Sequence, residues 1–247
     1  MDRMLYVAMS GARETLKAQA ANNHNLANGS TTGFHADMAA FQAQPVTGSG
    51  FASRVYATNS TTGIDQSSGT MQTTGRDLDV AIQGSGYLTV QGADGREAYT
   101  RAGNLRIDPS GQLMTVTGQA VMGDGGPMII PPNTAVLIGG DGTLSVIPQG
   151  SGPETKAVVG RLKLVDPPAA DLARGTDGLF RLKDGTDAPP SATVRVQSGV
   201  LEMSNVNVAD AMVHMIELSR RFDLQVKAMR AAEDNGAASA QLLRLGA

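Results

Sequence analysis

The stretch SNVNVADAMVHMIELSRRFDLQVKAMRAAEDNGAASAQLLR, residues 204–244, decides how this chain is built. Within it Val208, Ala211, Met215, Leu218, Phe222, Gln225, Met229 and Ala232 follow one another at alternating steps of three and four, the spacing of a heptad seam. Asn207 with Asp210 supplies a cap-like start, and no proline interrupts the run. The pattern predicts an amphipathic helix of about 37 residues, roughly 55 Å long, more than a small β domain shelters. At about 100° per residue, Val208, Ala211, Met212, Met215, Ile216, Leu218, Phe222, Val226 and Met229 spread over an arc of roughly 160°, wider than a two-helix seam.

The opposite end of the chain carries the same period. Leu5, Met9, Ala12, Leu16, Gln19, Asn23 and Leu26 alternate steps of four and three. This seam is thin, with Ala12, Gln19 and Asn23 where large apolar residues are expected. The N-terminal helix therefore covers only part of the C-terminal arc, and other subunits are the natural cover for the rest. The predicted subunit-interface residues are Leu5, Met9, Leu16, Leu26, Val208, Met212, Met215, Ile216, Leu218, Phe222, Val226 and Met229. Small residues over 231–240 suit close helix packing, with a frayed tail as the alternative.

Glycine and proline draw the boundaries. Only Gly11, Gly29, Gly236 and Gly246 of the 30 glycines fall in residues 1–30 and 204–247, and all 11 prolines lie between those ends. Both residue types punctuate turns and destabilise helix interiors. Four regions follow: an N-terminal helix over 1–30, an extended arm over 31–76, a central β domain over 77–203 and a C-terminal helix over 204–247. The fold class is α+β, with the terminal helices pairing as a coiled-coil-like domain and a central, mainly antiparallel β domain.

The arm, rich in Gly, Ser and Thr from 47 to 75, has few apolar residues and depends on neighbours for order. The β domain opens with DLDVAIQGSGYLTV, residues 77–90, where Val80 and Ile82, then Tyr87, Leu88 and Val90, form short runs around a Gly-Ser-Gly turn. Turn signals recur at Asp94-Gly95, Ser110-Gly111, Asp124-Gly125, Asp141-Gly142, Asp177-Gly178 and Asp184-Gly185. Between them lie strand candidates 105–107, 112–116, 134–138 and 160–165, with 193–200 as the last. No segment holds a helical period long enough for a crossover helix, so an antiparallel sheet or barrel is favoured over α/β.

Composition excludes several function classes. Net charge is −3 and basic residues are scattered, which argues against nucleic acid as a partner. With no cysteine, disulfides and thiolate metal sites are ruled out. No run approaches the roughly 20 apolar residues of a membrane span. The first residues, with Asp2, Arg3, Arg13, Glu14 and Lys17, lead into no apolar h-region or Ala-x-Ala site, so no cleaved secretory signal is expected. Aromatics are 4% with no Trp, leaving the core to Val, Ile, Leu and Met.

No constellation carries catalysis, and neither a cofactor nor a metal is expected. His24, His35 and His214 are far apart and lack metal-ligand spacing. Asp77 and Asp79 share one strand face as an acid–base pair would, yet their place among turns fits strand entry better. Gly84-Ser85-Gly86 lacks both the spacing and the following helix of a phosphate loop. The sequons at Asn28 and Asn59 are short enough to arise by chance. Met212, Met215 and Met229 read as helix packing.

Two distant motifs bring a family into view. HNLANGSTTGF, residues 24–34, resembles the Asn-Asn-Leu-Ala-Asn…Thr-Thr-Gly-Phe signature that follows the first helix of flagellar basal-body rod and hook proteins, carried here by Asn25, Leu26, Ala27, Asn28, Thr31, Thr32, Gly33 and Phe34. SNVNVADAMVHMIELSRRFD, opened by Ser204, Asn205, Val206 and Asn207, resembles their C-terminal signature. DVAIQGSGYLTV and YTRAGNLRIDPSGQL resemble the central domain of the larger members. His24 stands where the signature usually has Asn, and Gly29 where a larger residue is common. The opening and tail look most like the proximal rod members, with the distal rod members as near competitor.

The resemblance implies a structural subunit of the flagellar rod, the drive shaft that transmits torque and encloses an export channel. It implies export through the flagellar type III apparatus without signal cleavage, and assembly in the periplasm. The partners implied are copies of the chain itself, neighbouring proximal and distal rod subunits, and the export apparatus. The terminal helices are expected in an inner tube with the β domain outside. A β-rich module binding or cleaving cell-wall carbohydrate is the reading from a different class, and the scarcity of aromatics for stacking on sugars weakens it.

Overall fold

The computed structural model describes residues 3–45, 55–150 and 155–245. Residues 46–54, part of the expected arm, lie outside the described residues, as do 1–2, 151–154 and 246–247. The chain divides into two compact units, one of residues 1–29, 36–65 and 206–247, the other of residues 30–35 and 66–205.

The first unit holds helix α1 (Arg3–Ala27), the strands β1 (Asp37–Pro45) and β2 (Val55–Ile64), and helix α2 (Val208–Leu245). Helix α2 starts where the sequence places it. Asn207 Oδ1 accepts the backbone N–H groups of Ala209 at 3.0 Å and Asp210 at 3.4 Å, so the first orphan donors of the helix are engaged, and its amide donates to the Asp210 carboxylate at 2.7 Å. The helix runs 38 residues without a break, and the frayed tail is not seen through Leu245. The two helices are antiparallel: Asn22 donates its side-chain amide to the Ala211 carbonyl at 2.8 Å, and a Cβ built at Gly11 would run into the Gln225 side chain.

On α2, within the expected heptad, Ala211 and Leu218 are buried and Met215, Phe222, Gln225, Met229 and Ala232 are half-buried, as is Val226 beside them, whereas Val208 is exposed. On α1 the packed face differs from the expected seam by about one residue, a rotation of roughly 100°. Gly11, Ala12, Glu14, Thr15 and Ala18 are buried, whereas Leu5, Met9, Leu16 and Asn23 are exposed and Leu26 is half-buried. The cause is steric complementarity. The small residues Gly11, Ala12, Thr15 and Ala18 allow close approach on α1, with the Gln225 side chain of α2 filling the place of a Cβ at Gly11, and α1 packs against β1 and β2 as well as α2.

Part of the stretch expected as an extended arm forms an antiparallel strand pair: β1 and β2 pair from Asp37↔Ile64 to Pro45↔Val55, with a register shift at Met38/Ala39. Thr, Val and Tyr in β2 suit strands even where apolar residues are few.

The second unit is built from short strands. In order they are β3 (Met71–Thr73), β4 (Val80–Gln83), β5 (Tyr87–Gln91), β6 (Glu97–Thr100), β7 (Leu105–Ile107), β8 (Leu113–Thr115), β9 (Met122–Gly123) and β10 (Gly126–Pro127). Then come β11 (Asn133–Ile138), β12 (Thr143–Pro148), β13 (Ala157–Arg161), β14 (Leu164–Val165), β15 (Leu172–Arg174), β16 (Phe180–Leu182), β17 (Arg195–Ser198) and β18 (Val200–Glu202). The largest sheet has the order β14-β5-β6-β16-β15, beside a three-stranded sheet β11-β12-β13 and several two-stranded ribbons. Every strand pair among the described residues is antiparallel.

The core is aliphatic, centred on Val90, Leu105, Leu113, Val121, Leu144, Val146, Leu162 and Leu164. Where an aromatic is buried its polar end is engaged: the Tyr99 hydroxyl accepts the Ala188 N–H at 2.7 Å. Glycines 95, 111, 142, 178 and 185 take positive φ at the expected turns, but at Asp124-Gly125 the positive φ falls on Gly126. The single strand expected over 193–200 is broken at Gly199, whose φ is 75°. Its first part pairs with β4, and the chain then continues as β18 against β3, inside the stretch read as arm.

Candidate interaction surfaces and the signature segments

The apolar arc of α2 is shared between two surroundings. Its Ala211–Leu218–Met229 side meets α1, while Val208, Met212, Val213, Ile216 and Leu224 are exposed, Ile216 at 54%. On α1 the exposed large apolar residues are Met4, Leu5, Tyr6, Met9 and Leu16, the last at 50%. At about 100° per residue Leu5, Met9 and Leu16 fall within roughly 40° of one another, a stripe parallel to the small-residue seam. Isolated exposed hydrophobics are ordinary, whereas here they form two helical stripes in one compact unit. Of the predicted interface residues, Leu5, Met9, Leu16, Val208, Met212 and Ile216 lie on these stripes. Leu218 is buried within the helix pair, with Met215, Phe222, Val226 and Met229 half-buried on the same face, and Leu26 is half-buried at the end of α1.

The two signature segments lie where the chain passes from one unit to the other, at Gly29/Ser30 and at Asn205/Val206. In the first unit, Asn25 takes hold of Asp37 at both ends of its amide, donating to the Asp37 carbonyl at 2.9 Å and accepting its N–H at 2.8 Å. His24 Nδ1 lies 2.8 Å from the Asp37 carboxylate, so the histidine that replaces Asn keeps a polar contact. Asn28 donates to the His24 carbonyl at 2.9 Å, closing the end of α1. Gly29 has a reason of its own, since a Cβ there would sit 2.7 Å from Val208 Cγ2.

In the second unit Thr31, Thr32, Gly33 and Phe34 lead into a buried ionic cluster. Glu202, at the end of β18, accepts Arg101 Nη1 at 2.8 and 2.9 Å and the Gly69 N–H at 3.0 Å, with His35 Nε2 3.3 Å away. Arg101 also donates from Nε to the Gly86 carbonyl at 3.0 Å and from Nη2 to the Gly84 carbonyl. The Gly-Ser-Gly turn thus cradles a guanidinium with its carbonyls and does not offer N–H groups to an anion. Burial is the strongest single influence on the Glu202 carboxyl and opposes its ionisation. The hydrogen bond from His35, the charge of Arg101 and the Gly69 N–H together outweigh it and hold the carboxyl below its ordinary value.

Around this cluster Gly33 adopts φ +67°, with its N–H donating to the Glu202 carbonyl at 2.7 Å. Phe34 packs its ring 4.5 Å from the Arg174 guanidinium carbon, and Phe180 takes the same cation at 4.8 Å. Asn205 closes the other signature, donating its amide to the Ser67 carbonyl at 2.9 Å and its N–H to the Phe34 carbonyl at 3.2 Å. Ser204 is buried beside it, and Val206 is half-buried. Sequence reading missed Arg101, Glu202 and His35 as a group, because 101 residues separate Arg101 from Glu202 and no local pattern links the two.

The three histidines take three separate carboxylates, Asp37, Glu202 and Glu217. No group of His, Asp and Glu able to hold a metal occurs among the described residues, and no described helix is long and apolar enough to cross a membrane. Asp79 is buried with Arg76 at 3.4 Å while Asp77 is exposed, so the two do not form an acid–base pair. A cleft of about 630 Å³ is lined by Pro167, Pro168, Pro189 and Pro190 with Leu182 and Ala188, and offers no aromatic platform.

Comparison with known proteins agrees with this geometry. The family description "Flagellar hook protein FlgE/F/G D1 domain" matches residues 81–146, and "Flagellar basal body rod FlgEFG protein C-terminal" matches residues 197–242. The chain is 45% identical to the flagellar basal-body rod protein FlgF of Escherichia coli (strain K12) over 251 aligned positions, covering 99% of this chain and 100% of the relative. It is 44% identical to FlgF of Salmonella typhimurium (strain LT2), at the same coverage, and 32% identical to FlgG of Bacillus subtilis (strain 168), covering 95% of this chain and 96% of that one. With helices at both ends, an antiparallel β unit between them and two signature segments joining the units, the chain belongs to the flagellar basal-body rod proteins and within them is most like FlgF.

Proposed function

We propose that this rod subunit belongs to the proximal rod and works mechanically: copies and neighbouring rod proteins cover the exposed stripes of its helices, building a tube that transmits torque and encloses the export channel. The observation that carries this reading is the pair of apolar stripes, Leu5–Met9–Leu16 on α1 and Val208–Met212–Ile216 on α2, left in solvent by a single chain. Covering a Leu or Ile side chain contributes about 1.5–3 kcal/mol, and repetition over several neighbours turns weak contacts into a rigid shaft. The pairing of α1 and α2 then acts as the coiled-coil-like element of the tube. Passage through the type III export apparatus and assembly in the periplasm complete the proposal, resting on family membership.

Leu16→Asp and Ile216→Asp test it, because both positions are exposed and neither change disturbs the packed helix pair. Each variant is expected to keep the helical content and unfolding midpoint of the monomer while losing rod assembly and swimming. Normal motility in both variants overturns the reading.

A further inference from the structure

Peptide bonds from Asp or Asn to Gly share one spontaneous reaction. The glycine amide nitrogen attacks the preceding side-chain Cγ, a five-membered succinimide closes, and water leaves from Asp or ammonia from Asn. Water then opens either ring carbonyl, restoring aspartate or giving isoaspartate, whose backbone runs through Cγ and is one methylene longer. Starting from Asp, loss and gain of water cancel and the mass is unchanged. Glycine favours closure because no Cβ obstructs the attack. Closure further needs a side chain free to swing onto the nitrogen and a nitrogen not held elsewhere as a donor.

Asp–Gly occurs at 94–95, 124–125, 141–142, 177–178 and 184–185, and Asn–Gly at 28–29 and 235–236. At four of the five Asp–Gly junctions both partners are held. The carboxylates of Asp94, Asp141, Asp177 and Asp184 accept the N–H of Arg96, Thr143, Leu179 and Thr186 at 3.0–3.2 Å. The glycine nitrogens donate back along the chain, Gly95 to Gly92, Gly142 to Gly139, Gly178 to Gly175 and Gly185 to Leu182, at 2.9–3.1 Å. Those carboxyls are also held below their ordinary values, Asp141 chiefly by the Thr143 hydroxyl and Asp177 chiefly by Arg181, and an ionised carboxylate is the poorer electrophile. At the Asn–Gly junctions, Asn28 is bonded to His24 and Gly29 N–H to Leu26, while Asn235 and Gly236 lie inside α2.

Asp124 and Gly125 differ in both respects. They form the exposed two-residue turn between β9 and β10, where Gly126 pairs with Gly123. Among the described residues no hydrogen bond or ion pair engages the Asp124 carboxylate, and no acceptor meets the Gly125 N–H. A Cβ at Gly125 would meet nothing within 4 Å, so the turn has room for the ring. We propose that Asp124–Gly125 is the site at which the folded chain isomerises to isoaspartate, making this turn a substrate for protein isoaspartate methylation. The extra methylene enters next to the bond from Asp124 N–H to the Arg161 carbonyl, at 3.2 Å, which ties the turn to β13.

The test uses the purified full chain, held folded near neutral pH below its unfolding temperature and sampled over weeks. Electron-transfer fragmentation of its peptides distinguishes isoaspartate from aspartate. Isoaspartate at 124 is expected to accumulate about tenfold faster than at 94, 141, 177 or 184. Comparable rates at any of those positions, or none at 124, overturn the proposal. In a denaturant-unfolded sample the rates should converge to within about threefold, and a preference that persists there assigns the selectivity to local sequence and overturns the structural argument. Asp124→Glu should abolish methyl transfer from S-adenosylmethionine by an isoaspartate methyltransferase, whereas an undiminished signal places the site elsewhere.

Discussion

Gly33 shows how tightly the first signature is fitted. Its φ is +67°, and a Cβ would lie 2.3 Å from the Arg101 carbonyl carbon, a backbone atom that cannot swing aside. Gly33→Ala is expected to destabilise the β unit by about 2–3 kcal/mol, read as a lower urea midpoint; an unchanged midpoint refutes the account of the motif. Glu202→Gln leaves Arg101 buried without its counter-charge and should cost about 3–5 kcal/mol at neutral pH. The pH dependence has a definite sign. A carboxyl whose folded pKa is depressed contributes its stability above the ordinary value of 4.5, and that contribution is lost as pH falls below it. The wild-type midpoint should therefore be level above that value and decline below it, and Glu202→Gln should flatten the decline. An equally steep acid limb in the variant contradicts the assignment. The glycine was legible in the sequence as part of a motif. Its partner was not, because a long-range ion pair leaves no local pattern.

At the scale of elements, α2 carries two stripes that differ in consequence. Leu218, 8% exposed, packs against α1, and Ile216, two residues earlier, faces solvent. Leu218→Asp is expected to unravel the helix pair, lowering the helical signal in circular dichroism and costing about 2–5 kcal/mol or more, whereas Ile216→Asp leaves that signal intact. Equal behaviour of the two variants would show that the stripes are not distinct. The α2 face was readable because large apolar residues mark it. The α1 face was misread by about one position, since a hydrophobicity pattern follows Leu5, Met9 and Leu16 and, apart from Ala12, gives no weight to the small residues Gly11, Thr15 and Ala18. The strand pair β1–β2 escaped for a related reason: its backbone pairing needs no apolar alternation to form. Gly199 resembled an ordinary strand glycine until its positive φ divided β17 from β18.

For the whole molecule, the two units predict two kinds of stability. The β unit contains its own aliphatic core, so its slowest-exchanging amides should be equally protected in dilute monomer and in assembled rod. The helices leave their stripes uncovered, so their amides should gain further protection on assembly. Strong and equal protection of both units in dilute monomer would argue that the helices need no neighbours. The sequence by itself determined the α+β division, the lengths of the helices, the turn positions and the family, because periodicity, glycine, proline and short motifs act locally along the chain. Only the tertiary structure decided which face of α1 packs, that the arm contributes a strand pair, and that Arg101, His35 and Glu202 meet around the signature. Those outcomes depend on which surfaces fit one another in space, a property of pairs of distant segments and not of either segment alone.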